Sequence, residues 1–173
     1  MERLKQALSA AGIAYKENEP LCAHCTFRIG GPADLFVLPE NEEQLCAAIR
    51  LAKEAGVKSY LLGNGSNILF EDAGYRGAVI NVSAMKSGIG VIENISFPGK
   101  DPALTYDAVV VGAGQMLASL CMAALENSLT GLEFAYGIPG TVGGAVYMNA
   151  GAYGGEMKDV LASVRYLTGE GEI

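Results

Sequence analysis

Residues 57–67, Val-Lys-Ser-Tyr-Leu-Leu-Gly-Asn-Gly-Ser-Asn, decide the fold. Val57–Leu62 reads as a short apolar strand that runs straight into a loop of small residues, Gly63–Asn67. Upstream, Leu35-Phe-Val-Leu38 is a second strand, closed by Pro39. Asn41 then opens a helix, and Gln44 three residues later completes a capping-box pattern. Leu45, Ala48, Ile49, Ala52 and Ala55 form the buried stripe of that helix, and Gly56 ends it. Strand, helix, strand and glycine loop make a βαβ unit whose crossover is expected to be right-handed. Leu4, Ala7, Leu8 and Ala11 predict a first helix ending at Gly12, and Ala78–Val82 predicts a further strand.

Downstream the pattern is less regular. Ser87 to Pro102 mixes short apolar pairs with Gly, Pro and Asn, which predicts β structure with turns. Asp107–Val111 reads as a strand, turned by Gly112-Ala-Gly114 into a helix with Leu117, Leu120, Cys121, Ala124 and Leu125 on one face. Val160–Leu167 alternates as one last strand, and Thr168–Ile173 reads as a hairpin turn entering another. The expected class is α/β (α+β) in two lobes, residues 1–83 and 84–173, the second incomplete at its C-terminal end.

Composition excludes several functions. Of 173 residues 50% are apolar, enough for a packed core, and the net charge of −7 argues against a general nucleic-acid or anionic-membrane binder. An acidic chain still holds phosphate where backbone N–H groups converge. Two stretches lack charge, 108–125 and 134–155. The first is broken by Gly112, Gly114 and Gln115, and the second carries seven glycines and Pro139, so neither predicts a spanning helix. Met1-Glu-Arg-Leu-Lys5 has no apolar signal core behind it, so a cytoplasmic location is expected. Cys22-Ala-His-Cys25 has CxxC spacing without a second pair, and the chain has one His, so reduced thiols are expected rather than a metal site.

Two loops carry the chemistry. Gly63–Asn67 offers free N–H groups after a strand, with Ser66 and Asn67 as side-chain donors, which suits a pyrophosphate. On this motif alone a tight turn explains it equally well. Neither Gly63/Gly65 nor Gly112/Gly114 has the third glycine of a dinucleotide fingerprint, and no Walker sequence is present. The second loop, Tyr136-Gly-Ile-Pro-Gly-Thr-Val-Gly-Gly144, has four glycines in nine residues pinned by a proline. Ordering it costs backbone entropy, as if its backbone were needed against something flat or densely charged. Gly143 is expected at positive φ, in close approach to a ligand, and Tyr147 and Tyr153 are expected in the core.

Four segments, in order, resemble the UDP-N-acetylenolpyruvoylglucosamine reductase family within the FAD-linked oxidases and reductases. They are His24-Cys-Thr-Phe-Arg-Ile-Gly-Gly-Pro-Ala33, Leu62–Asn67, Gly137–Gly144 and Asn149-Ala-Gly-Ala-Tyr-Gly-Gly-Glu156. The resemblance implies FAD between two lobes, held by Leu62, Gly63, Asn64, Gly65, Ser66 and Asn67 from the first and by Ile138, Pro139, Gly140, Thr141, Gly143, Gly144 and Ala145 from the second. It implies NADPH as hydride donor and a UDP-sugar enolpyruvyl ether as substrate, in peptidoglycan synthesis. The family's protonating serine, its glutamate and its arginine are expected beyond Ile173, in and before a substrate domain, so no catalytic residue is assigned within 1–173. Arg28 matches the early family motif, Arg165 falls in the expected last strand, and Cys25 stands where the family has a hydroxyl residue. Alternatives are a non-catalytic flavin-binding module and another FAD-linked oxidase.

Overall fold

The computed structural model describes residues 1–85, 88–96 and 105–168, which divide into two compact units. One comprises Met1–Met85 together with the segment starting at Arg165, and the other Lys86–Val164. The sequence reading set the boundary at 83/84 and gave everything after it to the second lobe. Instead the segment from Arg165 joins the first unit, where the Arg165 guanidinium pairs with Glu42.

The first unit is a four-stranded sheet with two helices. Helix α1 (Glu2–Ala10) leads into β1 (Ala14–Pro20), which pairs antiparallel with β2 (Pro32–Leu38). Helix α2 (Glu42–Glu54) connects β2 to β3 (Ser59–Leu62), and β4 (Tyr75–Asn81) inserts between them, parallel to both. The sheet order is therefore β1-β2-β4-β3, and the βαβ unit spans one intervening strand. Leu35 and Val37 of β2 face Leu4, Leu8, Ala48 and Ala52, the helix side. Phe36 faces Leu21, Leu62, Phe70 and Val79 on the opposite side. With both faces covered, β2 reads as a continuous apolar run, as parallel strands do. The β2/β4 register shifts between Ala33 and Leu35, which is why Ala33 shares a cluster with Phe36 and not with Leu35.

Asn41 caps α2 by accepting from the Gln44 N–H at 2.9 Å. The expected reciprocal bond moves by one residue, because the Gln44 side chain takes the Glu40 N–H at 2.8 Å instead of that of Asn41. β1 was not foreseen, because Lys16, Glu17, Asn18 and Glu19 hide the alternation of an exposed edge strand.

The second unit pairs β5 (Ile89–Ile95) antiparallel with β6 (Tyr106–Val111), followed by α3 (Leu117–Glu126). Ser87 and residues 97–102 of the expected turn-rich stretch, and residues 169–173 of the expected hairpin, lie outside the described residues. A single-turn helix at Glu133–Ala135 precedes α4 (Val142–Tyr147). A two-residue hairpin, β7 (Gly151–Ala152) and β8 (Gly155–Glu156), then leads to α5 (Met157–Val160). Leu117, Leu120, Cys121, Ala135, Val142, Ala145 and Met157 form the core. Burial raises the Cys121 thiol pKa, so it stays a neutral core group.

Three expectations for residues 84–168 fail. Leu125 is 68% exposed, since its place on α3 lies off the Leu117–Cys121–Ala124 stripe. Residues 161–168 form no strand, so Arg165 is not a strand residue. Tyr147 and Tyr153 are 89% and 97% exposed, not core. Tyr153 sits at φ 53° beside Gly154 in the β7–β8 turn, a position that projects from the unit.

Phe36→Ala tests the first unit's packing. It is expected to cost about 3–5 kcal/mol in urea denaturation, and a loss below about 1 kcal/mol would contradict the sheet placement.

Candidate functional site

The first glycine loop leaves β3 at Leu62, a buried residue whose carbonyl accepts from the Val82 N–H at 2.9 Å. Asn81, at the end of β4 and 5% exposed, donates Nδ2–H to the Gly63 carbonyl at 2.9 Å. Its own Oδ1 accepts from the Ser83 N–H at 3.2 Å and from the Ser83 hydroxyl, so the amide is locked from both ends. On the other side, the Thr26 N–H donates to the Gly65 carbonyl at 3.0 Å and the Thr26 hydroxyl to that of Ser66 at 3.3 Å. Gly65 is required twice over. Its φ is +66°, and a Cβ there would lie 2.0 Å from the His24 carbonyl oxygen.

The outcome is asymmetric. The carbonyls of Leu62, Gly63, Gly65 and Ser66 are all bonded within the unit. The N–H groups of Asn64, Gly65, Ser66 and Asn67 have no acceptor among the described residues, although Gly65 is buried. A buried donor without a partner costs free energy that an external acceptor recovers. Four successive donors in a small-residue loop suit an anion with several oxygens.

Beside the loop lies a cavity of about 260 Å³, lined by His24, Thr26, Arg28, Asn64 and Ser83 among others. That volume falls below the usual range for a whole drug-sized ligand, and matches one polar portion of it. His24 stacks on Phe36, ring centroids 4.1 Å apart, and its Nε2 lies 2.8 Å from Glu19. Hydrogen bonds from Lys16 and then His24 hold the Glu19 carboxyl below its ordinary pKa, so it stays ionised and engaged. Cys25 is buried and donates Sγ–H to the Ile29 carbonyl at 3.3 Å; it and Cys22 are free thiols. Among the described residues no cluster of His, Cys, Asp or Glu is placed to hold a metal ion.

The second loop is built differently. The N–H groups of Val142 and Gly143 donate to the carbonyls of Gln115 and Ala113, at 2.8 and 2.9 Å. Those of Gly144 and Ala145 go to the Thr141 hydroxyl and carbonyl, at 3.3 and 2.9 Å, so Thr141 caps α4. Ile138 donates to Ala135. Of the predicted residues here, Gly140 and Thr141 keep N–H groups without an acceptor among the described residues. Gly143 is not at positive φ, correcting the expectation. It is glycine because a Cβ would meet Ala113 Cβ at 2.7 Å, so its close approach is to protein. A larger cavity in this unit, about 550 Å³, is lined by Ile89, Val91, Met122 and Tyr136 among others, and by none of residues 137–144.

The fourth motif is a tied-down turn. Asn149, at φ 46°, donates to Glu156 at 2.7 Å and accepts from the Lys158 N–H at 2.9 Å. Lys158 and then Asn149 hold the Glu156 carboxyl below its ordinary pKa.

Residues 33–173 match the model of a family described as FAD binding domain. The chain belongs to this family. It is 46% identical over 159 residues to a UDP-N-acetylenolpyruvoylglucosamine reductase of Agathobacter rectalis, covering 91% of the chain and 49% of the relative. Against the protein of that name from Lachnoclostridium phytofermentans it is 43% identical over 173 residues, covering 100% of the chain and 52% of the relative. The chain thus spans about half the length of the curated relatives it matches. The crystal structure of UDP-N-acetylenolpyruvylglucosamine reductase from Thermus caldophilus aligns with 85% of the chain and 46% of its own length, at 31% identity and a TM-score of 0.57.

As an FAD binding domain, the chain has a donor set that fits the cofactor's diphosphate. Asn64, Gly65, Ser66 and Asn67 supply consecutive amides without an acceptor among the described residues, and no carboxylate lines the adjoining cavity. Gly63 contributes through its carbonyl to loop shape, and Leu62 is a core residue. Sequence reasoning missed Asn81 and Ser83, whose Asn-Val-Ser segment carries no motif, and left Thr26 and Arg28 without a role.

In the absence of cofactor, Gly65→Ala is expected to destabilise the chain by about 1–3 kcal/mol from its conformation alone, plus the clash with His24. Thr141→Ala is expected to cost about 1 kcal/mol as a lost helix cap. Chemical denaturation checks both; Gly65→Ala at wild-type stability would show that the loop does not pack as described.

Proposed function

We propose that this chain is the FAD-binding portion of an NADPH-dependent reductase acting on the enolpyruvyl ether of a UDP-sugar, a cytoplasmic step of peptidoglycan synthesis. The observation that carries the reading is the first glycine loop, with the carbonyls of Gly63, Gly65 and Ser66 bonded inward and the amides of Asn64, Gly65, Ser66 and Asn67 left to an external acceptor. The names borne by relatives at 43–46% identity supply the substrate class.

When bound, FAD supplies a two-electron carrier able to accept hydride from a nicotinamide and pass it to an activated double bond. This chain's residues bind and orient. Backbone donors of Asn64–Asn67 hold phosphate oxygens. Asn81, Thr26 and Gly65 fix the loop in advance, so little ordering remains to oppose binding. The bonded amides of Val142, Gly143, Gly144 and Ala145 shape the second loop and do not contact phosphate. We assign the proton-donating role of the complete reaction to no residue within 1–173.

Titration of the purified chain with FAD, followed by flavin fluorescence, is expected to show saturable binding that riboflavin, lacking the phosphates, does not match. Absence of FAD binding, or equal affinity for riboflavin, would overturn the reading. With FAD and NADPH supplied, this chain alone is expected not to turn over the enolpyruvyl substrate. Losing a positioned general acid by itself removes about 10²–10⁴ in rate, and enzyme-like turnover would place catalytic residues within 1–173.

A further inference from the structure

We infer that Arg28 is an anion-binding residue of the first unit, its guanidinium completing the cavity beside the Gly63–Asn67 loop as a subsite for a diphosphate group. The inference rests on the flavin-binding reading above and adds a side-chain cation to a site otherwise made of backbone amides.

Three observations converge on Arg28. Its φ is +57°, a left-handed conformation uncommon for a residue that is not Gly, Asn or Asp. Such strain persists where surrounding structure imposes it, and it concentrates at binding and catalytic sites. The imposing contacts are visible on both sides. The Arg28 N–H donates to the Cys25 carbonyl at 3.3 Å, and the buried Cys25 thiol reaches the Ile29 carbonyl at 3.3 Å. Two residues on, a Cβ at Gly30 would come 2.5 Å from Phe70 Cβ, so the segment has no room to relax.

Second, Arg28 lines the 260 Å³ cavity together with Asn64 and Ser83, so a basic residue and a residue of the donor loop border one space. Third, the charge there is uncompensated. Arg28 has no carboxylate partner among the described residues, whereas Arg76 pairs with Asp34 and Arg165 with Glu42. Glu19, the acid that reaches a cavity residue, is engaged by Lys16 and His24. A planar guanidinium beside a row of N–H groups offers bidentate hydrogen bonding to phosphate oxygens, which a lone Lys does not reproduce.

The strained backbone makes the test sharp, because Arg28→Gly removes the cation and the strain together. A purely structural arginine would leave ligand affinity unchanged on replacement. The expected result is a melting temperature no lower than wild type with affinity for FAD and for inorganic pyrophosphate about tenfold weaker at low ionic strength, riboflavin affinity being unaltered. Arg28→Lys is expected to fall between the two. Wild-type affinity of Arg28→Gly for FAD and pyrophosphate, or an equal loss for riboflavin, would overturn the inference. Should the wild-type chain fail to bind FAD, the flavin reading falls, and the pyrophosphate titration still decides this one. Pyrophosphate bound by wild type and lost in Arg28→Gly supports the subsite, and no pyrophosphate binding by wild type overturns it.

Discussion

The hydrogen bond from Asn81 Nδ2 to the Gly63 carbonyl is the constraint on which the first unit's site depends. A strand that ends in a glycine loop has no intrinsic reason to hold one conformation, because Gly loses more freedom on ordering than any other residue. Asn81 supplies that reason from the neighbouring parallel strand, and Ser83 fixes the orientation of Asn81 in turn. With Thr26 binding the Gly65 and Ser66 carbonyls from the opposite side, the carbonyls of Gly63, Gly65 and Ser66 are used internally. Four successive backbone donors, those of Asn64, Gly65, Ser66 and Asn67, are left without an acceptor among the described residues.

Asn81 and Thr141 are the buried polar side chains among the described residues, and each organises one glycine loop. Their effects are opposite. Asn81 donates to a carbonyl and so leaves amides free, while Thr141 accepts from an amide and caps α4. The second loop therefore resembles a helix start wedged against Ala113 more than an open cradle. Two segments equally rich in glycine serve different physical ends, one a donor array and the other a close packing of backbone on backbone.

How much of this was legible in the sequence follows the same division. Period and punctuation gave α1, α2, β2 and the strand before Gly63, because Leu4/Leu8 and Ala48/Ala52 repeat at helical spacing and Gly12 and Gly56 stop them. The glycine loops stood out by composition, and their family resemblance holds over most of the chain. Composition could not say why each glycine is there. Gly65 and Gly143 read alike, yet one sits at positive φ and the other against an alanine. β1 was hidden by its charged outer residues. Tyr147 and Tyr153 were placed inside on hydrophobicity, although the β7–β8 turn and its Asn149–Glu156–Lys158 ties hold that segment at the surface. Asn81 was invisible because a positioning role depends on strand order β2-β4-β3, which local pattern does not encode.

The most direct measurement is residue-resolved amide exchange or chemical-shift change on adding FAD. The account predicts new protection at the amides of Asn64, Gly65, Ser66 and Asn67. Little change is predicted at Val142, Gly143, Gly144 and Ala145, which already donate to protein acceptors. Protection appearing at Val142–Ala145 while Asn64–Asn67 stay unaffected would contradict it.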